Sequence, residues 1–292
     1  MKKFFKKVVC MSLALASVAG ASLAMSGCTT DHPEVEMQVA FNGKTYSLTY
    51  QLYRKFAPNT VEHFLYLAEN GYYDGLCVHD YEADKLYTGG YTYDENKTED
   101  GGLTYKSYYD TVKSYEGEFP LSAWVDSDKQ VPTYTLYGEF SKNDVKVQNG
   151  TFMKQKFGAL TMFYTDKGDN DDTIFVEKVD GTGMTSRKYE YNSATSQFFI
   201  SLAETEKSDS YYCTFAWLTD DDVDTLKSLK ADIVSYYESK FSAEDDAVAS
   251  FAPEVEIAVD EDDLFVGDAD LTAKYNVPVE PIVIKSVKVV KY

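Results

Sequence analysis

The alternation of apolar and polar positions sets the first elements. Val35, Met37, Val39 and Phe41 alternate with polar residues, the pattern of a half-buried strand. Asn42-Gly43 follows, a strong two-residue hairpin signal. Tyr46, Leu48, Tyr50 and Leu52 then alternate as the returning strand. Val61, Phe64, Leu65 and Ala68 fall at i, i+3, i+4, i+7, which predicts a helix face. Asn59 and Glu62 predict a capping box at its start, and Asn70-Gly71 its stop. Gly158 to Tyr164 and Ser196 to Leu202 read as core strands, and Ile282 to Val290 as a last strand rich in β-branched residues. Thr219 with Asp220, Asp221 and Asp222 is an acidic helix start that suits the macrodipole. Val223, Leu226, Ile233, Val234 and Tyr237 give that helix its apolar face. Residues 91–150 have few aliphatics and many Tyr, Asp, Lys, Ser and Gly, so short strands and long loops are expected there without placement. Residues 241–276 are acidic and low in helical pattern.

The amino terminus stands outside this pattern. Lys2, Lys3, Lys6 and Lys7 form a basic start, Val8 to Met25 an apolar stretch, and Ser26-Gly27-Cys28 a small-residue close. This is the shape of an export signal. Leu23 to Cys28 resembles a lipobox, which implies removal of residues 1–27 and lipid attachment at Cys28. The competing reading is an uncleaved anchor formed by the same stretch. Either way the body is expected to be exported and held on the outer face of a bacterial membrane. Residues 28–33 read as a tether and residues 34–292 as the folded body.

Composition narrows the function. The chain has 292 residues, 28 Lys+Arg and 48 Asp+Glu, a net charge of −20. Loss of residues 1–27 removes four lysines and no acids, leaving 24 basic against 48 acidic residues, or −24. No Lys/Arg cluster occurs in the body, so nucleic acid is not an expected partner. At 44% hydrophobic residues the chain can build a core. Of four cysteines, Cys10 leaves with the signal and Cys28 is the lipid site. Cys77 and Cys213 remain, either as a disulfide or as two buried thiols, and no pair has metal-site spacing. Asp166 to Asp172 with Glu177 carries oxygen ligands for Ca²⁺ but lacks the glycine of an EF-hand loop, so it reads as a solvated loop. No Ser-His-Asp set, phosphate loop or HExxH pattern occurs. No cofactor and no metal are expected. The many tyrosines, 25 in all, serve either as aromatic platforms for sugars or peptides or as packing in place of aliphatics.

Several short motifs, taken in order, resemble one family. Ala57-Pro58-Asn59-Thr60-Val61-Glu62-His63-Phe64 and Gly71-Tyr72-Tyr73-Asp74-Gly75 resemble the first helix of cyclophilin-type peptidyl-prolyl isomerases. His79, Gly89-Gly90, Gly158-Ala159-Leu160-Thr161-Met162, Ser196-Gln197-Phe198-Phe199-Ile200, Asp209, Phe215 and Pro281-Ile282-Val283-Ile284 follow in step. The blocks are roughly 34–90, 158–164, 193–229 and 279–290. The resemblance implies a mainly β fold: a closed eight-stranded antiparallel barrel capped by two helices, with insertions at about 91–157 and 241–276. It implies rotation about Xaa-Pro bonds, which uncatalysed takes tens to hundreds of seconds. It implies proline-containing segments of exported proteins as partners.

The departures from the family pattern fall where the activity resides. Where the family has Phe-His-Arg this chain has Val78-His79-Asp80. Aspartate accepts hydrogen bonds when ionised and donates none. The pocket phenylalanine is Lys85, the methionine Leu86, the glutamine before the glycines Thr88, the Ala-Asn pair Phe163-Tyr164, the rim tryptophan Lys207 and the histidine near it Tyr212. Gln197 and Phe199 survive as the expected substrate-binding residues. His79 reads as a structural histidine, and Asp80 and Lys85 as a surface pair of small energetic weight. The catalytic residues stay unassigned. Reduced isomerase activity is therefore expected. A non-catalytic module for proline peptides or unfolded chains, or a scaffold presenting a Tyr/Asp-rich surface to a partner or glycan, are the alternatives.

Overall fold

The computed structural model describes residues 30–140, 143, 152–163, 173–178, 181–188, 194–203, 206, 212–258 and 272–292. The signal, Cys28, Tyr164, the 166–172 run, Lys207 and Asp209 lie outside them. In chain order the strands are β1 (Glu34–Phe41), β2 (Lys44–Leu52), β3 (Asp80–Glu82), β4 (Lys85–Thr88), β5 (Tyr91–Tyr93), β6 (Leu103–Tyr105), β7 (Ala123–Trp124) and β8 (Leu160–Met162). They continue as β9 (Thr173–Glu177), β10 (Met184–Lys188), β11 (Phe198–Ser201), β12 (Cys213–Leu218), β13 (Glu254–Ala258), β14 (Thr272–Asn276) and β15 (Val283–Lys291). The helices are α1 (Pro58–Glu69), α2 (Tyr108–Ser114), α3 (Val223–Lys240) and α4 (Ala247–Phe251). Among the described residues no helix is long and apolar enough to cross a membrane.

Eight strands form one antiparallel sheet in the order β15-β1-β2-β12-β8-β11-β4-β3. The fold is mainly β, as the motifs imply. Closure does not take the form of a continuous ladder between the edge strands. Residues 75–78, just before β3, meet β15 instead through one bridge, Cys77 to Val283. Three main-chain bonds support it: Gly75 N–H to Ile284 O (2.8 Å), Val78 N–H to Ile282 O (2.8 Å) and Ile284 N–H to Leu76 O (2.7 Å). Strand β3 itself turns to β14, where Asn276 N–H donates to the Asp80 carboxylate.

The hairpin forms as its pattern demands. Asn42 (φ 45°) and Gly43 (φ 75°) both take the left-handed conformation that a tight two-residue turn requires, and Phe41 faces Lys44 across it. Val35, Met37, Val39 and Phe41 turn one face of β1 into the core. Helix α1 lays Val61, Phe64, Leu65 and Ala68 against it, with Thr60, His63 and Leu67 also buried. Phe64 meets Tyr73, Phe198 and Phe215 at ring separations of 4.9, 5.5 and 5.0 Å. Burying one such side chain contributes about 1.5–3 kcal/mol. Helix α3 buries Leu226, Leu229 and Ile233. The 3-10 turn Asp220–Asp222 leads into it, and Asp222 accepts from Thr49 N–H of β2 at 2.8 Å.

The expected capping box does not form. Ala57 is the N-cap, Pro58 occupies the first turn, and no side-chain cap comes from within the helix. Glu62 meets Arg54 instead. The donors of the first turn are taken by Glu139, which accepts from Asn59 N–H (3.1 Å), Asn59 Nδ2 (3.2 Å), Thr60 N–H (2.9 Å) and Thr60 Oγ1 (2.8 Å). The helix starts from Ala57, two residues before Asn59, so Asn59 and Glu62 lie inside it, and Ala57 has no side-chain acceptor for the Asn59 and Thr60 N–H groups that a cap there would serve.

Candidate functional site

Strand alternation sorts the candidate residues. On β4, Leu86 and Thr88 are fully buried, while Lys85 and Tyr87 stand on the other face. Tyr87 pairs with Asp80 of β3 on one side and Phe199 of β11 on the other, and Lys85 pairs with Glu82. Period-2 pleating therefore brings Asp80, Glu82, Lys85, Tyr87 and Phe199 to one face of the sheet. Phe163 and Tyr212 complete the group, with Phe163 5.9 Å from Tyr87 and Tyr212 5.7 Å from Phe199, ring to ring.

The expected Asp80–Lys85 pair is absent. Lys85 Nζ donates to Glu82 Oε2 (2.8 Å) and Tyr87 Oη (3.1 Å), and Tyr87 Oη donates to Glu82 Oε1 (3.2 Å). The register explains this, because Lys85 lies directly across from Glu82. Burial works against the ammonium, but the bonds to Glu82 and Tyr87 outweigh it and hold Lys85 protonated above the ordinary lysine range. Asp80 accepts from Asn276 N–H at 2.8 Å. Its burial raises the carboxyl above the usual aspartate value, with the Asn276 bond opposing.

Phe199 is 1% exposed. Tyr87 packs on it at 5.3 Å, Tyr212 at 5.7 Å, and the Lys85 ammonium lies 5.6 Å from its ring centre. The ring is thus covered rather than open to a proline. Gln197 stands two residues before it, beside the glycine pair. A Cβ at Gly90 would lie 2.8 Å from Gln197 Nε2, and one at Gly89 (φ 98°) would collide with the Ser196 carbonyl. Ser196 Oγ donates to Gly89 O at 2.7 Å. The Gly-Gly motif is the space that the Ser-Gln segment occupies.

His79 is buried between Tyr91 and Tyr275, with both ring separations 4.9 Å. Burial pushes its imidazole down to about 3, with the Gln197 side chain opposing. It is neutral at physiological pH, which fits a structural role. Its Nδ1 and the Gln197 Oε1 are buried without hydrogen-bond partners. Cys77 and Cys213 are free buried thiols. They belong to separate apolar clusters, Cys77 beside Tyr91 and Cys213 beside Thr60.

Sequence reading missed Glu82, Tyr87, Tyr275 and Asn276 here. Extending the alternation through β4 would have placed Tyr87 beside Lys85. Nothing local signals Asn276, which lies in a segment without clear periodicity. As chemistry, the face offers an acceptor at Asp80, an ammonium at Lys85 whose bonds run to Glu82 and Tyr87, and an aromatic wall.

A model of the family described as cyclophilin type peptidyl-prolyl cis-trans isomerase/CLD matches residues 35–251. A Staphylococcus haemolyticus protein named for peptidyl-prolyl cis-trans isomerase is 36% identical over 106 residues, covering 36% of this chain and 44% of that protein. A protein of the same name from Staphylococcus aureus (strain USA300) is 34% identical over 106 residues, covering 36% and 45%. The chain thus spans less than half the length of these relatives. A crystal structure of a Cryptosporidium parvum cyclophilin type isomerase aligns over 89% of this chain and 99% of that one, with TM-score 0.42 and 15% identity.

Proposed function

The chain belongs to the cyclophilin-type peptidyl-prolyl cis-trans isomerase family, and we propose that it acts on Xaa-Pro bonds of exported polypeptides with low turnover. One observation carries the low turnover. At the position matching the family's arginine stands Asp80, whose carboxylate is engaged by Asn276 N–H. Loss of one preorganised donor at a twisted amide costs about 10²–10³ in rate. Lys85, in place of a pocket phenylalanine, directs its ammonium to Glu82 and Tyr87. Gln197 and Phe199 are assigned to substrate contact, with Phe199 reached only when Tyr87 or Tyr212 moves. Exchange NMR on an Ala-Pro peptide with the full chain in detergent tests the reading. Turnover at least about 100-fold below an ordinary cyclophilin is expected. Turnover of ordinary size would sink it.

The same proposal places the body on the outer face of a bacterial membrane, anchored through Cys28, with 91–157 and 241–276 as insertions in one folded unit. The basic start, apolar stretch and Ser-Gly-Cys close support the anchor. Mass spectrometry of the membrane-extracted protein should find residues 1–27 absent and acyl chains on Cys28. An unmodified Cys28 would remove the anchor.

The coverage of Phe199 favours a second reading, in which the face holds proline-containing segments, or serves only as a scaffold, without isomerisation. Titration of proline peptides followed by chemical shifts separates the two. Shifts without exchange enhancement support holding. No shifts at all leave the scaffold.

A further inference from the structure

A cleft of about 550 Å³ lies between the start of α1 and the small sheet β10-β9-β7. None of Asp80, Lys85, Tyr87 or Phe199 lines it. Its volume is that of an ordinary small-ligand site. Four ionisable groups with carboxylate, ammonium or guanidinium heads face it: Glu139, Glu177, Lys178 and Arg187. The two acids are already used. Glu139 accepts four bonds from Asn59 and Thr60, and Glu177 is paired with Lys129. The two cations are not. Among the described residues neither Lys178 nor Arg187 has an acidic partner, in a chain whose net charge is −20.

Arg187 carries the argument further. Its Nε is buried and has no hydrogen-bond partner. The guanidinium has a long bond to the adjacent Ser186 carbonyl (3.4 Å) and lies 6.0 Å from the ring centre of Tyr137. A buried donor without an acceptor is costly, and native structures seldom keep one. The planar fork of arginine matches a carboxylate, two N–H groups to two oxygens. Leu121 (38% exposed) and Val176 give the cleft an apolar side. A sugar would need an open aromatic face. The Trp124 ring is buried, with the Lys129 ammonium 4.9 Å from its centre, and the Tyr137 ring is taken by Arg187.

We propose that this cleft binds a carboxylate-bearing peptide segment, its carboxylate on Arg187 and its aliphatic side chains on Leu121 and Val176. The carboxylate comes from a peptide C-terminus or from an acidic side chain. The proposal is independent of isomerase activity.

Calorimetric titration of the full chain in detergent tests it with four probes: acetyl-Ala-Leu-Leu as free acid, the same peptide as amide, acetyl-Ala-Asp-Leu amide, and glucuronate. At least one acidic peptide should bind about tenfold or more tightly than the neutral amide. Preference for the free acid assigns a C-terminus, and preference for the Asp peptide assigns a side chain. Arg187→Gln should abolish the discrimination while far-UV circular dichroism stays unchanged. If that variant misfolds, Lys178→Gln, at an exposed position, should weaken the acid about twofold or more and reduce the salt dependence of binding. Equal binding of acid and amide, no peptide binding, glucuronate binding alone, or wild-type binding by folded Arg187→Gln would overturn the proposal. Where Arg187→Gln misfolds, unchanged affinity and salt dependence in Lys178→Gln would do the same.

Discussion

The Asp80 carboxylate accepts a hydrogen bond from the main-chain N–H of Asn276 at 2.8 Å, across 196 positions of sequence. It gives Asp80 a structural task, because it ties the β13–β14 pair to β3. A charge-assisted bond of this kind contributes about 1.5–3 kcal/mol. Partial exposure places Asp80→Ala at the lower end, so a loss of about 1–2 kcal/mol is expected. The urea midpoint reads it. An unchanged midpoint would remove the tie.

On the proposed low turnover, the same face predicts which substitutions raise it. Asp80→Arg alone supplies a donor but leaves Lys85 above Phe199. Asp80→Arg with Lys85→Phe restores both the donor and the apolar wall. The double variant should exceed the wild type by about tenfold or more in exchange NMR on an Ala-Pro peptide. The single variant should fall between them. Equal rates in all three would move the limit elsewhere, to Phe163 or Tyr212.

Glu139 is 4% exposed and meets four donors at the start of α1. Its burial raises the carboxyl above the usual glutamate value, outweighing those bonds. Glu139→Ala leaves buried donors bare and removes the helix cap, so a loss of about 2–3 kcal/mol is expected by urea unfolding. Hydrogen exchange should quicken first at Asn59 and Thr60. Wild-type protection there would contradict the cap.

Two buried histidines set the acid limb of stability. Burial lowers both His63 and His79 to about 3, while in the unfolded chain each titrates near 6.5. Between those values the unfolded chain binds more protons, so stability falls as pH drops from about 6.5 toward 3. Asp80 and Glu139 are raised, bind protons first in the folded chain, and offset part of this just above their ordinary values. The urea midpoint should therefore fall between pH 7 and pH 5. His63→Gln should make that slope shallower by about one proton. A flat profile in the wild type would mean that the rings are solvated.

Cys77 and Cys213 should resist chemistry. Burial pushes the Cys77 thiol up to about 12 and raises Cys213 as well. Thiolate is the reactive form, so neither should alkylate in the folded protein and both should after denaturation. Mass spectrometry counts the adducts. Rapid labelling of either thiol in the native state would place it at the surface.

Elements governed by near neighbours were legible in the sequence. The β1–β2 hairpin follows from alternation and Asn42-Gly43, and α1 from the spacing of Val61, Phe64, Leu65 and Ala68. Strand β11 followed from an unbroken motif, although its span, Phe198–Ser201, is shorter than the 196–202 expected. Within 91–157, β5, β6, β7 and α2 escaped placement because each has seven residues or fewer and few aliphatics. Leu229 was missed on α3 although it is fully buried, three positions after Leu226. The cap of α1 and the partners of Asp80 and Lys85 were misread. Glu139 and Asn276 come from tens to hundreds of residues away, which spacing does not report, whereas the partners of Lys85 lie within three residues and follow from the β3–β4 register, which the sequence does not set by itself. The Arg187 cleft is the extreme case, since its walls come from five separate stretches of chain.

The cap also bears on the order in which the chain comes together. Residues 58–69 emerge from synthesis well before residue 139, which supplies the acceptors for their first turn. Until then Asn59 and Thr60 have only water for partners, and the turn frays. A chain halted short of residue 139 carries a helix with an open end, and the arrival of one carboxylate latches it. In this protein the 91–157 segment carries the acceptor that closes the start of α1, and it cannot be trimmed back to a loop without taking that latch away.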